Sequence, residues 1–305
     1  FPNFSFEIDN VKVLGVEEFE GVTLADIKHT AIELDVMSVI SGGKIKINSI
    51  LIEEPEINIW VNKDTLANYD IAKTSEEKVE ESIDTSATQY EIGLKKLIIS
   101  GANLTYKDEV ANMGSQIKNM DFELSGDFTQ DVFDVLIASS IDELTVTEGP
   151  VSYLSKTHVS LDAGITIDKF EKYTLKENVL KLNELEVECD GFLEMLADRM
   201  TMDLTFGSKQ TEFKHILSLI PAVYMTDFES VKTKGKFALN GMMKGEMKGE
   251  DYPQFDISMA IEEGYFKYPD LPNVEWSYKS NQGKPIGRKN FEEAQQFLDL
   301  RNPSD

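Results

Sequence analysis

Apolar and polar residues alternate through most of this chain, and the alternation predicts strands almost everywhere. Between Lys44 and Asp70 it reads KIKINSILIEEPEINIWVNKDTLANYD. Ile45 and Ile47 alternate with lysines, while Ile57, Ile59 and Val61 alternate with Asn58, Trp60 and Asn62. A period of two is the signature of a strand with one face shielded from water. Pro55 cannot donate to a ladder, so this stretch predicts two strands with a corner at Pro55, closed by a polar turn.

The same pattern recurs in FSFEIDNVKVLG, GVTLADIKHTAIELD, KLIISGANLTYKD, IKNMDFELSG, VFDVLIASSI, HVSLDAGITI, LKLNELEVEC, MTMDLTFG, GKFALNG and QFDISMAIEEGYFKY. The runs lie about a turn apart, with Gly, Asn and Asp between them. They predict a mainly β protein built as an antiparallel meander, not strands separated by helices. No strict sequence period appears; the recurring theme is a hairpin.

Two short helices are expected. DVMSVIS, near 35–41, begins with the capping-type Asp35 and stops before Gly42 and Gly43. TEFKHILSLIP, near 211–221, opens with Thr211 and Glu212, sets Phe213, Ile216, Leu217 and Ile220 at helical spacing, and ends at Pro221. Its apolar stripe suits the mouth of a curled sheet.

This divides the chain into an N-terminal β-hairpin region over 1–72, an acidic loop over 73–88, a continued sheet over 89–272 and an atypical tail over 273–305. The segment KTSEEKVEESIDTSAT lacks aromatic residues and carries an acidic run, so it reads as a mobile loop, with a weaker helical reading in its first half. In the tail, 290–300 fits a short amphipathic helix with Phe291, Ala294, Phe297 and Leu298 on one side.

At 305 residues the chain sits at the upper edge of what one core serves, a limit that an elongated sheet escapes. Its 30 basic and 55 acidic residues give a net charge of −25, which argues against nucleic acid and against anionic membrane surfaces as partners. The single cysteine, Cys189, excludes a disulfide or a cysteine-type zinc site within the chain. No apolar run approaches the roughly 18 residues that span a bilayer. The start, FPNFSFEIDN, is neither basic nor a signal peptide and reads as a cut inside a longer protein.

Motifs for chemistry are sparse. His29, His158 and His215 are far apart and belong to no paired-ligand motif, so they read as structural. The acids of EEPE and EVECD fall on exposed positions of alternating strands, where a solvated face is the default reading, although paired carboxylates could serve glycoside chemistry. Asp64, Asn68 and Asp70 offer oxygen ligands but lack the glycine and distal glutamate of a calcium loop. Gly241, Gly245 and Gly249 have a membrane-packing spacing, yet intervening lysines and glutamates point to bends in a strand pair. Without a nucleophile elbow or a phosphate loop, the residues argue against an enzyme and imply no cofactor and no metal.

Three stretches, INSILIEEPEINIWVNKDTLANYDI, LKKLIISGANLTYKD and LSLIPAVYMTDFESVKTKGKFALNGMMKGE with YPQFDISMAIEEGYFKYPDLP, resemble the AsmA family of Gram-negative envelope proteins. The likeness covers roughly residues 1–272. It includes the family's proline-broken hairpin ending in a polar turn, here Pro55, Asp64 and Asn68, with Thr65 where a glycine is usual. The resemblance implies an inner-membrane anchor outside this chain and a periplasmic sheet curled into a groove or taco. It also implies a bridge-like role in conducting phospholipid between membranes and supporting outer-membrane assembly.

A phospholipid in transit needs a continuous apolar surface, since exposing acyl chains costs about 0.8 kcal/mol per CH2. Alternation puts Ile45, Ile47, Ile57, Ile59, Val61, Leu97, Ile99, Leu104, Tyr106, Phe122, Leu124, Leu204 and Phe206 on shielded faces, the candidate lining of a lipid groove. The pattern equally allows these side chains to pack against one another or against the two helices. Three functions stay open: phospholipid transport with possible envelope protein partners, a scaffold docking partners through the sheet edge and helix 211–221, and a carboxylate-based carbohydrate enzyme.

Overall fold

The computed structural model describes residues 3–40, 45–71, 92–128, 130–217, 219, 232–249, 251–267 and 276–278. β1 (Asn3–Leu14) and β2 (Thr23–Asp35) flank a 3-10 turn (Glu17–Phe19), and α1 (Val36–Ile40) leads into β3 (Ile45–Val61). Then come β4 (Ile92–Leu94), β5 (Lys96–Asp108), β6 (Met113–Gly126), β7 (Val132–Glu148), β8 (Val151–Asp168), β9 (Lys172–Leu182), β10 (Leu185–Met195) and β11 (Met200–Ser208). β12 (Thr211–Glu212), α2 (Phe213–Leu217), β13 (Lys232–Met247), β14 (Gln254–Lys267) and β15 (Trp276–Tyr278) follow.

These strands make one curled, open sheet in the order β1-β2-β3-β5-β6-β7-β8-β9-β10-β11-β13-β14-β15, with β4 beside β3 and β12 beside β13. The mainly β, few-helix architecture agrees with the alternation. The sheet is mixed, however: β3 and β5 run parallel, from Ile50 opposite Leu97 to Val61 opposite Asp108. An antiparallel expectation presumes short turns. The stretch 62–95 is long enough for the crossover of a dozen or more residues that parallel neighbours need.

The corner expected at Pro55 is absent. Residues 45–61 form a single strand of 17 residues with Pro55 fully buried inside it. Glu54 takes a positive φ of 47°, and the ladder to β5 skips positions 54 and 55. A proline is tolerated at such an irregularity because no partner there asks for its missing N–H.

α1 starts as its cap predicts: the Ser38 N–H donates to Asp35 Oδ1 at 3.0 Å, and the Ser38 hydroxyl donates to the Asp35 carbonyl at 2.7 Å. The second helix starts later than its stripe suggests. Thr211 and Glu212 pair with Phe237 and Lys236 as β12, and α2 begins only at Phe213. Trp276–Tyr278 adds β15 against β14, inside the stretch read as an atypical tail. The acidic loop over 73–88 and the helix over 290–300 lie outside the described residues.

Every substantial contact between described elements joins sheet neighbours or ties α1 and α2 to adjacent strands. The described residues therefore make one layer, and their buried clusters are small. Phe133, Val135 and Ile167 form one, packed by Phe128 at 4.8 Å and Phe170 at 5.5 Å between ring centroids. Phe19 makes another, edge-on to Trp60 at 5.5 Å.

Candidate functional site

Residues opposite one another in neighbouring strands project to the same side of a sheet, so the register shows which side chains share a face. One row reads Ile8, Thr30, Ile52, Ile99, Phe122, Ser139, Leu161, Leu180, Val187 and Ser208, from β1 across to β11. A second reads Phe6, Ile32, Ile50, Leu97, Leu124, Ile137 and Ala163. A third, Val13, Ala25, Ile57, Leu104, Ile117, Leu144 and Thr157, crosses the same strands farther along. On the far half of the sheet Val135, Ile165, Leu175, Gly191, Leu204, Met243 and Phe255 form a fourth.

Simple alternation would put the third row on the opposite side from the first two. The strands prevent this with a transverse seam of kinks. Asn10, Glu54, Gly101, Asn119, Lys156 and Glu177 all have φ between 47° and 65°. Each stands third in a quartet that opens on an apolar residue, continues with two more polar positions and closes on an inward-facing one: Ile8-Asp9-Asn10-Val11, Ile52-Glu53-Glu54-Pro55, Ile99-Ser100-Gly101-Ala102, Ile117-Lys118-Asn119-Met120, Leu154-Ser155-Lys156-Thr157 and Leu175-Lys176-Glu177-Asn178. The left-handed residue absorbs one step of the alternation, so apolar side chains before and after it stay on one face. Strands β2 and β7 carry the same quartet, Ile27-Lys28-His29-Thr30 and Ile141-Asp142-Glu143-Leu144. Pro55 and Ala102, the first apolar residues beyond the kink in β3 and β5, are buried.

Kinks of this kind free backbone donors, and side chains of the opposite, polar face accept them. Gly101 N–H donates to Asp121 Oδ1 at 2.9 Å, and Asn119 N–H to Asn103 Oδ1 at 3.0 Å. Lys156 N–H donates to Thr145 Oγ1 at 3.1 Å, and Glu177 N–H to Asp190 Oδ1 at 2.9 Å. Neighbouring strands therefore hold the seam shut on the wet side.

The polar face also carries the ion pairs: Lys96 with Glu123 at 2.9 Å, Lys118 with Glu143 at 2.8 Å, Lys244 with Asp203 at 2.6 Å and Lys181 with Glu186 at 3.1 Å. Lys118 holds the Glu143 carboxyl below the ordinary carboxylate range, and Lys209 with Lys181 does the same to Glu186. His29 Nδ1 lies 2.7 Å from Asp9 Oδ1, and that hydrogen bond raises its pKa above the usual 6.5, with Glu53 and Glu7 adding to the effect. Shallow depressions, one of about 480 Å³, are lined mainly by this face, including Ser100, Asp121, Glu123, Ser140 and Asp162. Asp121 accepts from the Gly101 amide and Glu123 pairs with Lys96, so these two carboxylates tie neighbouring strands together.

The apolar face is different in kind. In the registered rows from β1 to β14 its lysines, arginines, aspartates and glutamates reduce to Asp108 and Glu148, at the last positions of β5 and β7. Asp108 accepts from the Val110 and Ala111 amides at 2.9 and 2.8 Å and from the Tyr106 hydroxyl at 3.0 Å. The Tyr106 hydroxyl is pushed above its ordinary pKa as a result, and the amides hold the Asp108 carboxyl below its own.

The candidate lining residues fall on this face as direct neighbours. Leu97 stands opposite Leu124, Ile99 opposite Phe122, Ile57 opposite Leu104 and Ile59 opposite Tyr106. Ile47 pairs with Leu34 and Leu94, Ile45 lies opposite Ile92, and Val61 ends the face opposite Asp108. Leu204 and Phe206 join the same face on β11, several strands away. Phe206 lies over Gly241, where an added Cβ would come within 2.2 Å of the ring. The alternation alone did not single out Ile50, Ile52, Ile137, Leu161, Leu180 or Val187. The quartets were the signal that could have placed them, because each marks where the period of two must slip.

At the two margins the apolar side chains are most open: Phe4 and Phe6 on β1 are 55% and 49% exposed, and Phe255 and Met259 on β14 are 69% and 58% exposed. Asn68 works at the other extreme. At 1% exposure it accepts from the Trp60 N–H at 2.9 Å and donates to the Asn58 carbonyl at 2.7 Å, clamping the loop after β3 to that strand. Thr65, in the same loop, has φ 66°, a conformation that favours glycine.

Comparison with known proteins returns no matching family model, no matching curated protein and no matching solved structure. Among the described residues no helix is long and apolar enough to cross a membrane.

Proposed function

We propose that this chain is a periplasmic segment of an AsmA-like, inner-membrane-anchored envelope protein, and that its apolar face carries phospholipid toward the outer membrane. The observation that supports this most is the row of ten residues from Ile8 to Ser208, which holds no charged side chain. Nine steps of about 4.8 Å between strands make that row roughly 43 Å long. One leaflet of hydrocarbon is about 15 Å deep, so acyl chains can lie on the face in series. Fifteen CH2 groups withdrawn from water gain about 12 kcal/mol at about 0.8 each, enough to hold a lipid against the aqueous phase without a catalytic group. On this reading the protein uses no cofactor and performs no covalent step, and the anchor belongs to a helix outside these residues.

Lipid extraction and native mass spectrometry of the purified protein test the proposal. Bound phospholipid is expected, together with a several-fold loss in Leu180→Glu, which sets a carboxylate within the row. Lipid-free protein after incubation with vesicles would refute it. A second reading, a scaffold for an envelope complex, draws on β1, an edge strand that exposes Phe4 and Phe6. Pull-downs that recover a stoichiometric protein partner and no lipid favour that reading instead.

A further inference from the structure

We infer that the lipid accepted by this face has a zwitterionic or neutral headgroup, and that anionic phospholipids are discriminated against. The inference rests on the acyl-chain reading above and goes beyond it to the chemistry of the headgroup. Phosphate capture needs a guanidinium, an ammonium or converging amide donors. Among the described residues, the registered rows of the apolar face contain no lysine and no arginine. A lipid lying there has its headgroup in water, at the ends of the strands.

One of those ends is acidic. The turns after β1, β3 and β5 bring Glu17, Glu18, Glu20, Asp64, Asp70 and Glu109 to the same end of the sheet, against Lys63. Basic side chains nearby are engaged with acids: Lys107 bonds Glu109, and Lys209 bonds Glu186 and lies 3.1 Å from Glu188. With a net charge of −25 on the whole chain, the field meeting a headgroup is negative. A lipid with a net negative head is repelled, while one that carries its own ammonium is not.

The test uses vesicles containing equal amounts of phosphatidylethanolamine and phosphatidylglycerol, so that both lipids meet the protein at the same membrane. The ratio bound to the recovered protein is read by mass spectrometry. At low salt phosphatidylethanolamine should be enriched by about threefold or more, and the bias should fall toward parity at about 1 M salt, where charges are screened beyond roughly 3 Å. A charge-reversed lip, Glu17→Lys with Asp64→Lys and Glu109→Lys, should raise the phosphatidylglycerol share with total lipid bound unchanged. Equal or preferential uptake of phosphatidylglycerol by the native protein at low salt overturns the inference and leaves acyl-chain binding standing. A bias indifferent to salt and to charge reversal overturns it as well. Absence of both lipids overturns the acyl-chain reading itself.

Discussion

Replacing Glu177 by glycine should stabilise this protein, although glycine within a strand ordinarily weakens it. Glu177 has φ 56° in the middle of β9, and the structure's use of its position is through the backbone, whose N–H donates to Asp190 Oδ1 at 2.9 Å. A left-handed conformation costs an L-residue about 1–2 kcal/mol, and glycine escapes that cost. Glycine also enlarges the conformational freedom of the unfolded chain, a loss of about 0.4–1 kcal/mol. The net gain expected for Glu177→Gly is therefore about 0.5–1 kcal/mol. Lys176, one residue earlier, has ordinary strand geometry, so Lys176→Gly should cost about 0.5–1 kcal/mol. Urea unfolding of the two variants beside the native protein reads the difference as midpoint shifts of opposite sign at an unchanged slope. If both variants are destabilised alike, Glu177 is not left-handed in solution, and the seam that keeps the apolar rows on one face is wrong.

Other consequences follow from the same geometry. Asn68→Ala should cost about 2–4 kcal/mol, since it strands the Trp60 N–H and the Asn58 carbonyl without partners, and Asn68→Asp should restore only the first of these bonds; urea midpoints measure both. Thr65→Gly should raise stability by up to about 1 kcal/mol for the reason given for Glu177. His29 has a raised pKa in the folded state, so its contact with Asp9 contributes fully below the unfolded value of 6.5 and is lost as pH climbs through the folded value. Thermal melts across that window should show a downward step with rising pH that His29→Gln removes. Gly241→Leu should displace the Phe206 ring and lower stability, because even a Cβ there collides with it.

Strand content was legible because alternation is a local property: the runs from FSFEIDNVKVLG to QFDISMAIEEGYFKY fall in strands, except that LKLNELEVEC straddles the turn between β9 and β10, and Asp35 capped its helix as its side chain allows. The direction of β5 was not legible, since nothing within KLIISGANLTYKD distinguishes a parallel from an antiparallel neighbour. Pro55 misled for a physical reason. A proline in a strand usually means an end, and only the left-handed Glu54 beside it makes an interior position acceptable. Candidate lining residues such as Ile99 and Phe122 fall opposite one another on the apolar face because each lies in a clean alternating run. What joins those pairs into one face is the seam, and Glu54, Lys156 and Glu177 are not residues that announce a positive φ. Their quartets are visible in the sequence, but only the register shows that they stand side by side.

The central claim is that acyl chains lie on one side of this sheet. Phospholipid carrying a photoreactive group near the end of an acyl chain, bound to the protein, irradiated and mapped by peptide mass spectrometry, tests it most directly. Adducts should fall on Leu161, Leu180, Val187 and Leu204, and spare their strand neighbours Asp162, Lys181, Glu188 and Asp203. Adducts on those polar neighbours, or spread evenly over both sets, would contradict it.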